Sequence, residues 1–203
     1  EEQVFIPSSQ SYEVMKSELG QLMYVTESGA FYIMVDGNVY SIDLNSLDTK
    51  VLVEGLSDEA VAISESNRFL AWVDSSAVRG SDTIHMIDFV TEKVTDVTGS
   101  ASDYVKPLGF MQEDFVYGVA KSADVVVDAA GNTLFPMYQV KIMDTSSEEH
   151  EILKTYEKPG YYVQSIAISG YTIYLNRIQN NGTAYVDADQ DMIMNREGDS
   201  LKV

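Results

Sequence analysis

The sequence predicts an all-β fold built from about four repeated antiparallel units. Three observations predict it. Short runs of Val, Ile, Tyr and Phe recur between turn residues along the whole chain. Several of these runs are apolar at consecutive positions, so both faces of their sheets are buried, whereas a sheet with one wet face would alternate. One phrase also returns at intervals: an apolar strand ending at Asp, a polar turn, and a second strand.

The elements follow in order. "QVFIP" (3–7) reads as a strand, and "SYEVMKSEL" (11–19) as a short helix ending at Gly20. The first unit, roughly 20–58, holds "FYIMV" (31–35) and "NVYSIDL" (38–44). Asp36-Gly37 joins them with residues that tolerate the positive φ of a tight hairpin. The second unit, roughly 59–104, holds "FLAWV" (69–73) and "IHMIDF" (84–89). The third, roughly 105–160, holds "FVYGVA" (115–120) and "YQVKIM" (138–143). Between those two strands "SADVVVDAA" (122–130) is an irregular insertion or a further strand, with Gly131-Asn132 as a turn. The fourth, roughly 161–203, holds "YVQSIAI" (162–168) and "YTIYLN" (171–176), with Asn181-Gly182 as the next turn. All units belong to a single domain, 1–203.

Asp43 in "VYSIDLNSLDTKVL" aligns with Asp88 in "IHMIDFVTEKVTDV". A third copy places its turn near Asp144, and a weaker fourth puts Asn195 near the Asp position. A turn Asp has a physical use, because its carboxylate accepts backbone N–H bonds in the bend. The motif spacing of about 45 to 55 residues suits one four-stranded sheet per unit. Sheets buried on both faces and repeated at that interval fit a β-propeller, whose blades each pack between two neighbours.

The stretch "SESNRFLAWVDSS…SDTIHMIDFVTEKVTDVTG" resembles the blade of TolB-type and prolyl-oligopeptidase-type β-propellers, with Val90-Thr91-Glu92-Lys93 at the turn before the last strand. The resemblance covers the second unit well, the first reasonably and the last two in outline. Ser66-Asn67-Arg68 replaces that family's usual Asp-Gly turn. A structural repeat implies fold and not activity. Two expectations stand for closure: "QVFIP" completes a four-bladed ring, or the chain is a piece of a larger propeller whose open blade edges invite self-association.

With 203 residues, 45% of them hydrophobic, the chain can bury a substantial core. A formal charge of -19 repels phosphate backbones, so nucleic acid is not an expected partner. Solubility accounts for such a surface, and attraction of cations or a basic partner is its sharper use. The absence of cysteine excludes disulfides, thiolate metal sites and cysteine nucleophiles. No apolar run approaches the roughly 18 residues of a membrane span. The opening Glu-Glu-Gln reads as a trimmed or mature form, with any anchor upstream.

Candidate chemistry is sparse. Asp187, Asp189 and Asp191 in "DADQD" match the first ligand spacings of a calcium loop, but Met192 and Gly198 stand where that loop needs Gly and Glu, so a solvated acidic loop is the plainer reading. His85 reads as a packed strand side chain and His150 as a solvated turn residue. No Gly-x-Ser-x-Gly elbow, P-loop or dinucleotide fingerprint occurs. Tyr156, Tyr161 and Tyr162 in "YEKPGYY" form the densest aromatic group and the first candidate binding surface, together with the insertion at 121–136. The expected role is a non-enzymatic recognition or scaffold domain, extracytoplasmic in a bacterium, that binds a protein or small ligand through its loops. The alternative is a glycan-active or other propeller enzyme with a loop-lined acidic site.

Overall fold

The computed structural model describes residues 3–6, 8, 11, 21–74 and 79–194. Residues 3–6 of the expected strand "QVFIP" are not in a strand, while 12–19 of the expected helix and the fourth turn at Asn195 lie outside the described residues. Within them the fold is all-β, and it is built of successive antiparallel meanders. The first sheet is β1 (Met23–Val25), β2 (Ala30–Val35), β3 (Asn38–Asp43) and β4 (Thr49–Val53), paired in that order. The second repeats the plan with β5 (Val61–Ile63), β6 (Phe69–Trp72), β7 (Thr83–Asp88) and β8 (Lys93–Thr98).

The third unit begins with β9 (Asp103–Met111) and β10 (Asp114–Lys121). A separate small hairpin follows, β11 (Val126–Val127) with β12 (Thr133–Leu134). The chain then returns to the sheet with β13 (Met137–Met143) and β14 (Ile152–Glu157). The fourth unit is β15 (Tyr162–Ser169), β16 (Thr172–Asn180) and β17 (Tyr185–Met194). Its sheet joins the third through one ladder pair, Met137 with Val163.

The turns follow from their residues. Asp36 and Gly37 take φ of 54° and 67°, the left-handed pair that a two-residue hairpin needs. The aligned aspartates hold the later bends as expected. Asp43 Oδ1 accepts the Asn45 and Ser46 N–H groups at 2.8 and 3.1 Å. Asp88 Oδ1 accepts Val90 N–H at 2.9 Å, and Asp144 Oδ1 accepts Ser146 N–H at 2.8 Å.

The core lies between sheets. Strands β2, β6 and β10 bury consecutive residues, as their sequences require. One cluster joins Tyr32, Met34 and Val39 of the first unit to Leu70, Trp72 and Phe89 of the second. Phe89, fully buried, stacks on Tyr32 at 4.4 Å between ring centroids, and a buried Phe contributes about 2–3 kcal/mol. The next cluster joins Ile84 and Met86 to Val105, Phe115 and Val119. The last joins Val116, Met137 and Val140 to Val163, Ile173, Leu175 and Ile193. Strands β5, β9 and β15, the first of their units, pack in sequence against one another, while β4, β8 and β14 lie mostly exposed on the outside. This is a propeller-like arrangement of four units. On β15–β17 a hydrophilic ladder is exposed: Gln190 Nε2 donates to Asn176 Oδ1, and Asn176 Nδ2 to Ser165 Oγ, each at 2.9 Å.

Candidate functional site

The insertion between β10 and β13 forms a hairpin fastened at both ends. Val125 and Phe135 are buried in the core between the third and fourth units. Asp128 holds the bend, its carboxylate accepting the Ala130 and Asn132 N–H groups at 2.8 Å and the Asn132 side-chain amide at 2.9 Å. The tip therefore keeps its shape while Val126 stays 51% exposed.

Opposite the hairpin stand Gln164 of β15, Ile178 of β16, and Ala184, Tyr185 and Asp187 around the start of β17. The groove between them has a volume of about 560 Å³. Val126, Leu134, Ile178 and Tyr185 give it apolar surface, Asp128 and Asp187 give it negative charge, and no basic residue lines it. Tyr185 is braced edge-on by Tyr162, with centroids 5.4 Å apart at 88°. Burial, with the nearby Asp124 carboxylate, pushes the Tyr185 hydroxyl above the usual phenol range.

The other sequence candidates gather around Arg177, a residue the sequence reading passed over. Its Nε donates to the Asp189 carbonyl at 2.7 Å. Its Nη1 donates to the Tyr156 hydroxyl at 3.2 Å and to Asp191 Oδ2 at 3.1 Å. Tyr156 OH itself donates to Asp191 Oδ2 at 2.9 Å. The Tyr161 ring lies against the guanidinium at 4.3 Å and against Lys158 Nζ at 5.1 Å. A shift in register between Leu175 and Arg177 leaves Asp189 without a ladder partner, and so frees its carbonyl. The Met192 N–H, the Tyr156 hydroxyl and the positive charges of Arg177 and Lys158 together hold the Asp191 carboxyl below the ordinary carboxylate range.

Three expectations change. Asp187, Asp189 and Asp191 lie in strand β17 and not in a loop. Asp187 lines the groove, while Asp191 is bound by Arg177 and Tyr156. Among the described residues no group of three or more acidic or histidine side chains is disposed to hold a metal ion. His85 is a packed strand side chain only in part: its ring lies 5.5 Å from that of Trp72, but it is 27% exposed and Nδ1 meets Asp96 Oδ1 at 2.7 Å. His150 is half-buried, bound to the Asp144 carbonyl at 3.1 Å and facing the Thr95 hydroxyl at 3.3 Å.

A second ionisable cluster is self-satisfied. Asp103, 3% exposed, accepts from Lys121 Nζ at 2.6 Å and from Tyr138 OH at 3.0 Å. Burial alone would raise the Asp103 carboxyl, but Lys121 and Tyr138 outweigh it and leave it low; the same contacts raise the Lys121 ammonium. Both groups move away from neutrality, the opposite of what proton transfer near pH 7 requires.

No protein-family model and no curated protein sequence matches the chain. Solved structures similar to it include the β-propeller domain of the Trilobed protease from Pyrococcus furiosus, at 13% identity and a TM-score of 0.43, over 85% of this chain and 57% of that one. The tricorn protease is similar at 16% identity and 0.43, over 79% of this chain and 19% of that one. Oligogalacturonate lyase from Vibrio parahaemolyticus is similar at 10% identity and 0.40, over 85% and 52%. The chain spans 57%, 19% and 52% of the length of these three solved chains. Likeness at this level says nothing of activity.

Proposed function

We propose that this domain is a recognition module whose groove, between the β11–β12 hairpin and the fourth unit, takes an extended basic segment of a partner protein. The observation that carries this reading is the hairpin. Among the described residues the first two units complete the repeat without such a hairpin, and in repeat architectures insertions of this kind gather on the binding face. Its two buried ends hold an exposed valine opposite Ile178 and Tyr185, with carboxylates beside them. An apolar side chain of the partner would sit on Val126, Leu134 and Ile178. A Lys or Arg next to it would sit by Asp187, which lacks a cationic neighbour in the groove. The acidic surface as a whole raises the encounter rate with such a segment.

The test is calorimetric titration with a short peptide of alternating Lys and Leu, and with the same peptide carrying Glu for Lys. Binding of the basic peptide alone is expected, weakening at high salt and falling at least tenfold in Asp187→Lys and Val126→Glu. Equal binding of both peptides, or binding that the two substitutions leave unchanged, overturns the reading. We further propose an extracytoplasmic bacterial setting, supported by the resemblance of the second unit to TolB-type blades; protease shaving of intact cells tests it.

A further inference from the structure

A second cleft opens at the seam of the second and third units, away from the groove, with a volume of about 330 Å³. Phe69 and Met86, each 2% exposed, contribute its apolar floor. Arg68 and Asp88 border it, locked together by two parallel bonds of 2.9 and 2.8 Å. Lys93 of the second unit and Glu148 of the third also line it, meeting at 2.6 Å although 63% and 83% exposed.

The charges decide what fits. Two cations and two anions line the cleft, so its ionic groups sum to zero in a chain that carries -19 overall. A simple anion meets the repulsive field of the whole chain. A simple cation finds both carboxylates already paired. A ligand that carries both charges has no net charge to be repelled, and in opening an existing pair it gives each member a new partner. The Lys93–Glu148 pair is the replaceable one, because ion pairs this exposed add little net stability and exchange readily with other partners. The Arg68–Asp88 pair, with its bidentate geometry, stays in place.

We propose that this cleft binds a zwitterionic amino acid or dipeptide, its carboxylate on Lys93, its ammonium on Glu148 and an apolar side chain over Phe69 and Met86. The ligand then bridges two units that Lys93 and Glu148 otherwise bridge directly. The site is independent of the groove described above.

The probes are leucine, leucyl-leucine, N-acetyl-leucine, which lacks the ammonium, and leucine methyl ester, which lacks the carboxylate. Titration calorimetry should show leucine or leucyl-leucine binding at millimolar concentration or below, with both capped compounds at least tenfold weaker. Lys93→Met and Glu148→Gln should each weaken binding tenfold or more and leave the melting temperature of the free protein within about 1 °C, since both side chains are exposed. The double exchange Lys93→Glu with Glu148→Lys keeps one charge of each sign and should retain more binding than either single variant. Failure of the two zwitterions to bind, or equal binding of N-acetyl-leucine, overturns the proposal.

Discussion

Tyr156 on β14 donates its hydroxyl to the carboxylate of Asp191 on β17, 2.9 Å away across the seam of the third and fourth units. Arg177 contacts both, with its side chain 6% exposed. Removing that guanidinium leaves a carboxylate and a phenol without their shared donor. Arg177→Met should therefore destabilise the protein by about 2 kcal/mol, below the full cost of breaking a buried pair because Asp191 keeps some contact with water. Urea unfolding measures it. An unchanged midpoint would mean that the network contributes nothing net.

Acid should unfold the protein partly through Asp103. Its carboxyl is held below the ordinary value, so its contribution is complete above the unfolded aspartate pKa of about 3.9 and fades as pH falls through the lower folded value. In Lys121→Met the buried carboxylate loses its closest partner. That variant should be less stable than the parent at neutral pH and should approach it in acid, where both carry a protonated Asp103. A stability difference that stays constant with pH would refute this.

Tyr32 predicts an alkaline effect. Burial, then the Glu92 carboxylate at 2.5 Å, pushes its phenol up to about 12. The folded state thus favours the neutral phenol. Its contribution is whole below the unfolded tyrosine value of about 10 and is lost as pH rises toward the folded one. Ultraviolet titration should find several late-ionising tyrosines, because Tyr117, Tyr138, Tyr156 and Tyr185 are also raised, and the latest of them should disappear in Tyr32→Phe, a variant expected to lose about 1–2 kcal/mol at neutral pH.

Gly118 tests the joint between the third and fourth units. A Cβ there would stand 1.9 Å from Met137 Sδ and 2.8 Å from its Cγ. Met137 is 1% exposed and forms the ladder pair with Val163, so it has little room to withdraw. Gly118→Ala should cost about 1–3 kcal/mol. Combined with Met137→Ala, a costly change in its own right, the total loss should be smaller than the sum of the two single losses, whereas strictly additive effects would argue against a direct clash.

Much of the architecture was readable from the sequence because local chemistry set it. Asp36-Gly37 turns the chain by its own φ preference, and Asp43, Asp88 and Asp144 make bends from bonds two or three residues away. Consecutive apolar residues in β2 and β6 announced sheets covered on both sides. The site was harder to see. "DADQD" looked like a loop because strand β17 is polar on an exposed edge and its register against β16 is irregular. Arg177 carries one local sign: it is the lone charged residue of strand β16, set between Asn176 and Ile178. Its partners Tyr156 and Asp191 lie 21 and 14 residues away, so no local pattern points to them. The same holds for the 55-residue separation of Lys93 and Glu148.

Every apolar cluster that joins successive units draws side chains from both. No sheet therefore owns a complete interior, and each owes its order to the one beside it. Such a chain behaves as a one-dimensional row of coupled elements. Amide hydrogens of β6, β7, β10 and β13, which sit in the two inner units, should exchange slowest, and protection should decline outward in both directions. Hydrogen exchange followed strand by strand would trace that gradient, and damage at one seam would loosen the whole row beyond it.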